Sequence, residues 1–151
     1  MLDQFTRDGV IVEKAIGFWV SRVYQASRGE LYRAFREKGE DITPEQWMVL
    51  IRLWEKEGQS QAELSDGTLR DAPTMSRILR TMEEHDLVVR RPSAEDGRAR
   101  AVHLTERGRA LRKKLVPVAR ELVERLVAGI PAADIEVTRR TLRHMFENLT
   151  G

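Results

Sequence analysis

Apolar positions recur with helical spacing along the first part of the chain. Residues 8–38 predict one long helix, because apolar side chains return there every three or four positions. Those side chains are Val12, Ile16, Trp19, Val20, Val23, Tyr24, Leu31 and Phe35. Gly17 and Gly29 weaken the prediction that this helix is continuous, and residues 38–41 end it.

The next two predicted helices begin at capping boxes. Thr43 stands three residues before Gln46 and Ser60 three residues before Glu63, so each hydroxyl can accept a bond from its helix backbone. Gly58 ends the first of these helices. The apolar stripe of that helix, at i, i+3, i+4 and i+7, consists of Trp47, Leu50, Ile51 and Trp54.

A fourth helix, over about residues 73–84, separates apolar from polar positions most clearly. Asp71 or Ala72 is its cap, since a proline follows in the first turn. Its apolar stripe consists of Met75, Ile78, Leu79 and Met82. Arg77 and Arg80 fall on the opposite side of the helical wheel. This helix therefore presents two guanidinium groups away from the core.

After residue 86 the apolar period changes to two, which indicates strands. Residues 87–91 and 98–104 predict the two arms of a β-hairpin. Between them, Asp96-Gly97 is a strong turn signal. The hairpin carries arginines at its tip and on both arms.

Two further helices complete the predicted fold. Thr105 caps the fifth helix, in which Pro117 predicts a kink or a break. A boundary at residues 129–131 precedes a last helix over about 132–149. The chain is thus predicted to be mainly α-helical with one small β-hairpin.

The charge of the chain is concentrated in one stretch. The net charge is only +2 over 151 residues. Residues 87–113, however, hold eight basic and three acidic side chains, a net charge of +5. A local basic block on a nearly neutral chain is typical of an element that faces a polyanion. A solvated basic surface would have the same composition.

Several function classes are excluded or disfavoured by composition. The absence of cysteine excludes disulfides, thiolate zinc sites, cysteine nucleophiles and thiol redox sensing. The three histidines lack metal-ligand spacing, and the chain has no nucleophile with a base and no glycine-rich phosphate loop. We therefore expect no enzyme, no cofactor and no metal. No signal peptide and no spanning segment is predicted, so we expect a cytoplasmic protein without membrane contact.

Two short helices joined by a tight turn and followed by a hairpin are typical of a winged helix-turn-helix. The second helix of such a pair fits the major groove of DNA, where base edges present a pattern of donors and acceptors. An arginine on the hairpin, or wing, can enter the narrower minor groove, where negative potential is concentrated. The pattern therefore predicts a DNA-binding protein.

Three segments of the chain support a more specific prediction. They are TPEQWMVLIRL (43–53), QAELSDGTLRDAPTMSRILRTMEEHDLVVRRP (61–92) and EDGRARAVHLTERG (95–108). In this order, and with helices on both sides, they resemble the MarR family of bacterial transcriptional regulators over nearly the whole chain. Asp96-Gly97-Arg98 is similar to the D-x-R wing motif of that family.

The resemblance implies a homodimeric repressor. Residues 1–38 and 110–151 would be dimerisation helices, and residues 43–109 the winged DNA-binding lobe. The operator would be pseudo-palindromic, with half-site centres about 10 bp apart. A small ligand would release the DNA by shifting the two lobes. The alternative is a winged-helix protein that acts as an architectural DNA binder or a protein-interaction module without ligand control.

Nine residues are predicted to contact double-stranded DNA. The resemblance implies that Arg98 enters the minor groove and that Asp96 orients it; the alternative for Arg98 is an exposed turn arginine. Arg77 and Arg80 would contact bases or phosphates, unless they only form a solvated face, and capping alone would explain Ser60. The full set is Ser60, Gln61, Thr74, Ser76, Arg77, Arg80, Thr81, Arg98 and Arg100.

Aromatic side chains on the first two helices have two interpretations. At helical spacing they are ordinarily core residues. The resemblance, however, implies that small aromatic or phenolic effectors bind between the dimer helices and the winged lobe. A cleft with Arg52 beside the aromatic residues would suit an aromatic carboxylate. The predicted pocket residues are Trp19, Tyr24, Trp47, Arg52 and Trp54.

Overall fold

The computed structural model describes residues 5, 9–95, 97 and 100–151. The predicted wing residues Asp96 and Arg98 lie outside the described residues. Six α-helices, one short 3₁₀-helix (Val12–Lys14) and three strands are formed in the described part of the chain. In chain order they are α1 Ile16–Glu37, α2 Pro44–Glu55, β1 Gln59–Ser60, α3 Gln61–Thr68, α4 Ala72–Glu84, β2 Val88–Pro92, β3 Arg100–Leu104, α5 Glu106–Leu126 and α6 Ala132–Thr150.

The first long helix begins later than its apolar period predicts. Residues 12–14 form a 3₁₀ turn, and Ala15 is extended with φ −76° and ψ 121°. The α-helix starts only at Ile16. Val12 and Ile16 keep a helical spacing across this interruption, so the pattern of apolar residues does not reveal it.

The four predicted caps, Thr43, Ser60, Asp71 and Thr105, are confirmed by their hydrogen bonds. Thr43 Oγ1 accepts from the backbone N–H of Gln46 at 3.2 Å, and Ser60 Oγ accepts from that of Glu63 at 3.2 Å. The glutamine and glutamate side chains return the bond to the cap backbone, which completes both capping boxes. Asp71, rather than Ala72, caps α4. Each such cap stabilises its helix by about 1 kcal/mol.

The three strands form an antiparallel sheet in the order β1–β3–β2. Val88 pairs with Leu104 and Pro92 with Arg100, which confirms the predicted hairpin. The strand β1 was not predicted, because two residues are too few to show an alternating pattern. Its residue Ser60 pairs with Ala101 and so joins the start of α3 to the wing.

The core lies where α1, α2, α4 and α5 meet the sheet. The stripe of α4 is buried as predicted at Met75, Leu79 and Met82. Gly108 packs directly on the backbone after α4, where an added Cβ would lie 2.2 Å from the carbonyl oxygen of Leu87. Helices α2, α3 and α4 with the sheet therefore form one winged helix-turn-helix unit, as predicted.

Helix α5 is continuous through Pro117, so the predicted break does not occur. The proline removes one helical hydrogen bond. The flanking side chains of Leu115 and Val118 are buried, and this packing keeps the helix intact.

Helix α6 buries none of its own residues within the chain. Its apolar side chains, together with those of α1 and the end of α5, form one exposed set. The set comprises Ile16, Trp19, Val20, Val23, Tyr24, Val123, Leu126, Val137, Leu142, Phe146 and Leu149. Among the described helices, none is both long and apolar enough to span a membrane.

Candidate nucleic-acid interface and ligand cavity

Helices α3 and α4 form the helix-turn-helix pair. Leu69 adopts a left-handed backbone with φ 54°, and the N–H of Arg70 donates to the carbonyl of Ser65 at 3.0 Å. The chain then enters α4 at its cap, where Asp71 Oδ1 accepts from the N–H of Thr74 at 2.7 Å. This bond lowers the pKa of Asp71, because it favours the charged carboxylate.

The exposed face of α4 is polar along its length. Ser76, Arg77 and Arg80 are exposed, whereas Thr74 and Thr81 are half-buried at the edges of the face. Thr81 Oγ1 donates to the carbonyl of Arg77 at 3.2 Å. Both guanidinium groups thus lie opposite the buried methionine and leucine stripe, in the position that the sequence predicts for DNA contact.

The start of α3 is fixed by its own cap and by α4. The Ser60 hydroxyl accepts from the N–H of Glu63, and both the backbone N–H and the hydroxyl of Ser60 hydrogen-bond to the Glu63 carboxylate and lower its pKa. Gln61 Nε2 donates to the carbonyl of Ala72 at 3.2 Å, which ties the beginning of α3 to the beginning of α4. Gln61 therefore holds the two helices together, whether or not it also contacts DNA.

The described part of the wing carries exposed arginines. Arg100 is exposed at the start of β3, and Arg91 is exposed on β2. Arg90 lies 3.4 Å from Glu83 and is less exposed. The arms of the wing therefore keep at least two cations at the surface next to α3 and α4.

A cavity of about 260 Å³ lies between α1, α2 and α5. Its walls are mainly apolar and include Leu31, Trp47 and Leu122. Its polar end is formed by Tyr24, Arg28 and Arg70.

The polar end of the cavity is an ion-pair network centred on Glu45. Oε1 of Glu45 lies 2.5 Å from Arg28 and 3.8 Å from Arg70. Burial opposes the charge of Glu45, but the Arg28 hydrogen bond and both guanidinium charges hold its pKa below the ordinary value. The Arg70 guanidinium also lowers the pKa of Tyr24. Two cations therefore share a single carboxylate beside an apolar cavity.

A sequence model of the MarR family matches residues 42–99 of this chain. The HTH-type transcriptional repressor IacR of Pseudomonas putida is 31% identical over 132 residues, which is 87% of this chain and 78% of that protein. The chain belongs to the MarR family. It is a DNA-binding transcriptional regulator and not an enzyme.

Other relatives of this MarR-family chain agree in length and fold. An HTH-type transcriptional repressor of Mycobacterium tuberculosis is 30% identical over 141 residues, 93% of this chain and 97% of that protein. The crystal structure of CouR from Rhodococcus jostii RHA1, bound to p-coumaroyl-CoA, is similar with a TM-score of 0.79 and 27% identity. The similarity covers 89% of this chain and 93% of CouR.

Of the five predicted pocket residues, the structure brings two to the cavity. Tyr24 and Trp47 line it. Trp54 packs behind Trp47 at a ring-centroid distance of 5.5 Å, and its Nε1 donates to the carbonyl of Gly108. Trp19 is exposed on α1. Arg52 is turned to the carbonyl of Gly67, to which its Nε and Nη2 donate at 3.1 and 2.9 Å.

The cations of the cavity were missed by the sequence prediction. Arg28 follows Tyr24 by four residues on α1, so helical spacing could have placed it on the same face. Arg70 lies in the turn between α3 and α4, where no periodic pattern indicates the direction of a side chain. The fold, rather than the local sequence, brings Arg70 to Arg28.

Proposed function

We propose that this MarR-family regulator is a homodimeric repressor that binds a pseudo-palindromic operator and is released by a small aromatic carboxylate. One observation supports DNA recognition most directly. Helix α4 is capped and anchored by a buried stripe, and its opposite face exposes Arg77 and Arg80 with no acidic side chain between them. Such a face suits base edges and phosphates in the major groove.

The remaining contacts follow from the positions of the side chains. Ser60, Gln61, Thr74, Ser76 and Thr81 surround the arginine face and would contact phosphates or base edges. Arg100 on the wing would contact the backbone. For Arg98 and Asp96, insertion into the minor groove and its orientation remain predictions from the resemblance.

The exposed apolar set on α1, α5 and α6 supports a dimer. A helix such as α6, which buries nothing within its own chain yet has Phe146 46% exposed, requires an apolar partner. A second copy supplies the same surface by two-fold symmetry. We refer to α1, α6 and the C-terminal half of α5 as the stem, from which the two winged lobes would extend to successive grooves.

The cavity supports control by a carboxylate. A ligand carboxylate would compete with Glu45 for Arg28 and Arg70, while an aromatic ring would contact the apolar walls near Trp47. Arg70 immediately precedes Asp71, the cap of α4. A displacement of Arg70 would therefore also move the start of the recognition helix. The ligand would shift the population of lobe orientations by its difference in affinity for them. CouR is bound to p-coumaroyl-CoA, which agrees with an aromatic ligand. Its acyl group is a thioester, so the carboxylate in this proposal rests on Arg28 and Arg70 alone.

DNA selection tests the proposal. The wild-type protein would be used to enrich duplexes from a random library, and affinities would be measured at several salt concentrations. We expect an enriched palindrome and a steep loss of affinity with salt. The double variant Arg77→Ala/Arg80→Ala should bind it at least about tenfold more weakly. The control Arg120→Ala, which removes an exposed arginine of α5 outside the basic stretch 87–113, should stay within about twofold.

Other results would favour the alternatives. Binding without enrichment of any sequence would indicate an architectural DNA binder. Absence of binding would indicate a protein-interaction module. Wild-type affinity of the folded double variant for the enriched palindrome would contradict the role given to α4.

A further inference from the structure

The first turn of α5 holds the carboxyl end of the recognition helix α4. Thr105 Oγ1 donates to the carbonyl of Asp86 at 2.6 Å, and the N–H of Thr105 donates to that of Leu87 at 3.1 Å. Arg107 Nη1 donates to the carbonyl of His85, the C-cap of α4. These bonds set where α4 ends relative to α5.

Arg107 is also paired with a carboxylate that is distant in the sequence. Its Nη2 lies 3.3 Å from Oε2 of Glu40, in the loop between α1 and α2. Lys114 of α5 lies 2.6 Å from the second oxygen, Oε1. The N–H of Glu40 donates to the carbonyl of Phe35, which fixes the loop against the end of α1. A continuous series of contacts thus runs from α1 through Glu40 and Arg107 to the end of α4.

Glu40 differs from an ordinary surface ion pair. Its side chain is only 12% exposed, and each of its oxygens has a cationic partner. Another ion pair, between Glu30 and Arg125, also joins α1 to α5 at 2.9 Å, but it is more exposed, and in the described part of the chain Glu30 pairs only with arginines of α1 and α5. Exposed pairs of that kind contribute little to stability or geometry. The chain therefore contains a matched internal control for Glu40.

Building on the proposed function, we propose that Glu40 is a positioning residue that holds the recognition helix at a fixed place relative to the stem, and thereby makes the dimer selective for one spacing of half-sites. Glu40 would act through Arg107 and would not contact DNA. One inserted base pair moves a half-site by about 3.4 Å and rotates it by about 35°. If the two recognition helices of the dimer are held rigidly, they cannot both bind half-sites at the altered spacing. If they are held loosely, they can adjust to it.

Spacing discrimination measures this role. Wild type, Glu40→Gln and Glu30→Gln would be compared on the palindrome enriched by the wild-type protein, on versions with one base pair added or removed at its centre, and on a single half-site. We expect the wild type and Glu30→Gln to lose at least tenfold in affinity upon either change. Glu40→Gln should lose no more than about threefold, with its half-site affinity within twofold of wild type.

A second variant keeps the proposal testable if Glu40→Gln does not fold. Arg107→Met removes both the Glu40 contact and the bond to His85 at a residue whose side chain is 46% exposed, and it should relax discrimination in the same way. Folding of each variant is checked by circular dichroism. Wild-type discrimination in either folded variant would overturn the proposal, as would a half-site affinity that falls in parallel with discrimination. Absence of any enriched palindrome for the wild type would instead refute the proposed function.

The lack of cysteine allows a direct structural readout. A single Glu84→Cys substitution on the exposed end of α4 would carry a spin label in each protomer, and the distance between the two labels would be measured. We expect a narrow distribution in the labelled parent and with Glu30→Gln. With Glu40→Gln the distribution should broaden, and an unchanged width would overturn the proposal.

Discussion

Glu40 and Glu45 lie five positions apart and use the same chemistry in two different environments. Each carboxylate is shared by two cations, and each joins α1 or its end to the winged unit. The cations of Glu45 line an apolar cavity. One cation of Glu40 is bonded to the end of the recognition helix. Under the proposed function, a ligand in the cavity would compete with the first carboxylate, whereas among the described residues the cations of the second do not line that cavity.

The difference suggests a division of roles within one small region. In the proposed mechanism, an incoming carboxylate would rearrange the Glu45 network. The Glu40 network would keep the lobe in one orientation. Both networks have the same ion-pair chemistry. They differ because the cations of Glu45 line a cavity, whereas Arg107 beside Glu40 is bonded to the end of α4.

The largest effect is expected from removal of a cavity cation. Arg70→Met should weaken binding of p-coumarate by about 10- to 100-fold, because a charged hydrogen-bond donor is lost. Isothermal titration calorimetry would measure it. Arg52→Met is the matched control, since Arg52 is bonded to Gly67 and lies outside the cavity, and it should stay within about twofold. The uncharged analogue p-coumaryl alcohol should not distinguish Arg70→Met from wild type. Equal losses in the two arginine variants would contradict the site.

Stability distinguishes the Glu40 network from an exposed pair. Glu40→Gln leaves two cations without their carboxylate and should lower the free energy of unfolding by about 1–2 kcal/mol, less than for a fully buried pair because both cations are partly exposed. Glu30→Gln should lower the free energy of unfolding by clearly less, because its ion pairs are exposed. Urea unfolding at one fixed protein concentration measures both. Similar costs would show that burial of Glu40 has no special effect.

Removal of the competing carboxylate should strengthen ligand binding. In Glu45→Gln, Arg28 and Arg70 lose the acidic partner that they share in the described part of the chain, so affinity for p-coumarate should rise by about threefold. Isothermal titration calorimetry with p-coumarate would measure this change in affinity. Weaker binding in Glu45→Gln would mean that Glu45 orients the arginines for the ligand and does not compete with it.

The smallest effect is the pH dependence of the Glu45 contribution. The pKa of Glu45 in the folded chain is below its ordinary value of 4.5. Its stabilising effect is therefore fully present above about pH 4.5 and is lost as the pH falls through the folded pKa. The difference in unfolding free energy between wild type and Glu45→Gln should be about 0.5 kcal/mol at pH 7 and should shrink as the pH falls below 4.5. A difference that grows on acidification would contradict the assigned shift.

Local signals in the sequence predicted the helix-turn-helix well. Thr43, Ser60 and Asp71 cap their helices through bonds between residues three apart, so the short-range pattern contains the required information. The buried stripe of α4 depends on helical period alone. These elements needed no knowledge of distant contacts.

The cavity could not be predicted in the same way. Arg28, Glu45 and Arg70 come from α1, α2 and the turn before α4, and only the tertiary fold brings them together. Arg52 has a suitable side chain and a suitable helix, but its guanidinium satisfies the carbonyl of Gly67 at the end of α3. Side-chain chemistry indicated an arginine beside aromatic residues, and the cavity has both, but it did not indicate which arginine would line the cavity.

Gly108 gives the junction a mechanical property. Because α5 contacts the backbone at Leu87 with no side chain between them, we expect the two segments to move together. A rotation of the first turn of α5 would then move the end of α4 as well. In the proposed dimer, a displacement too small to alter the fold would thereby change the distance between the two recognition helices.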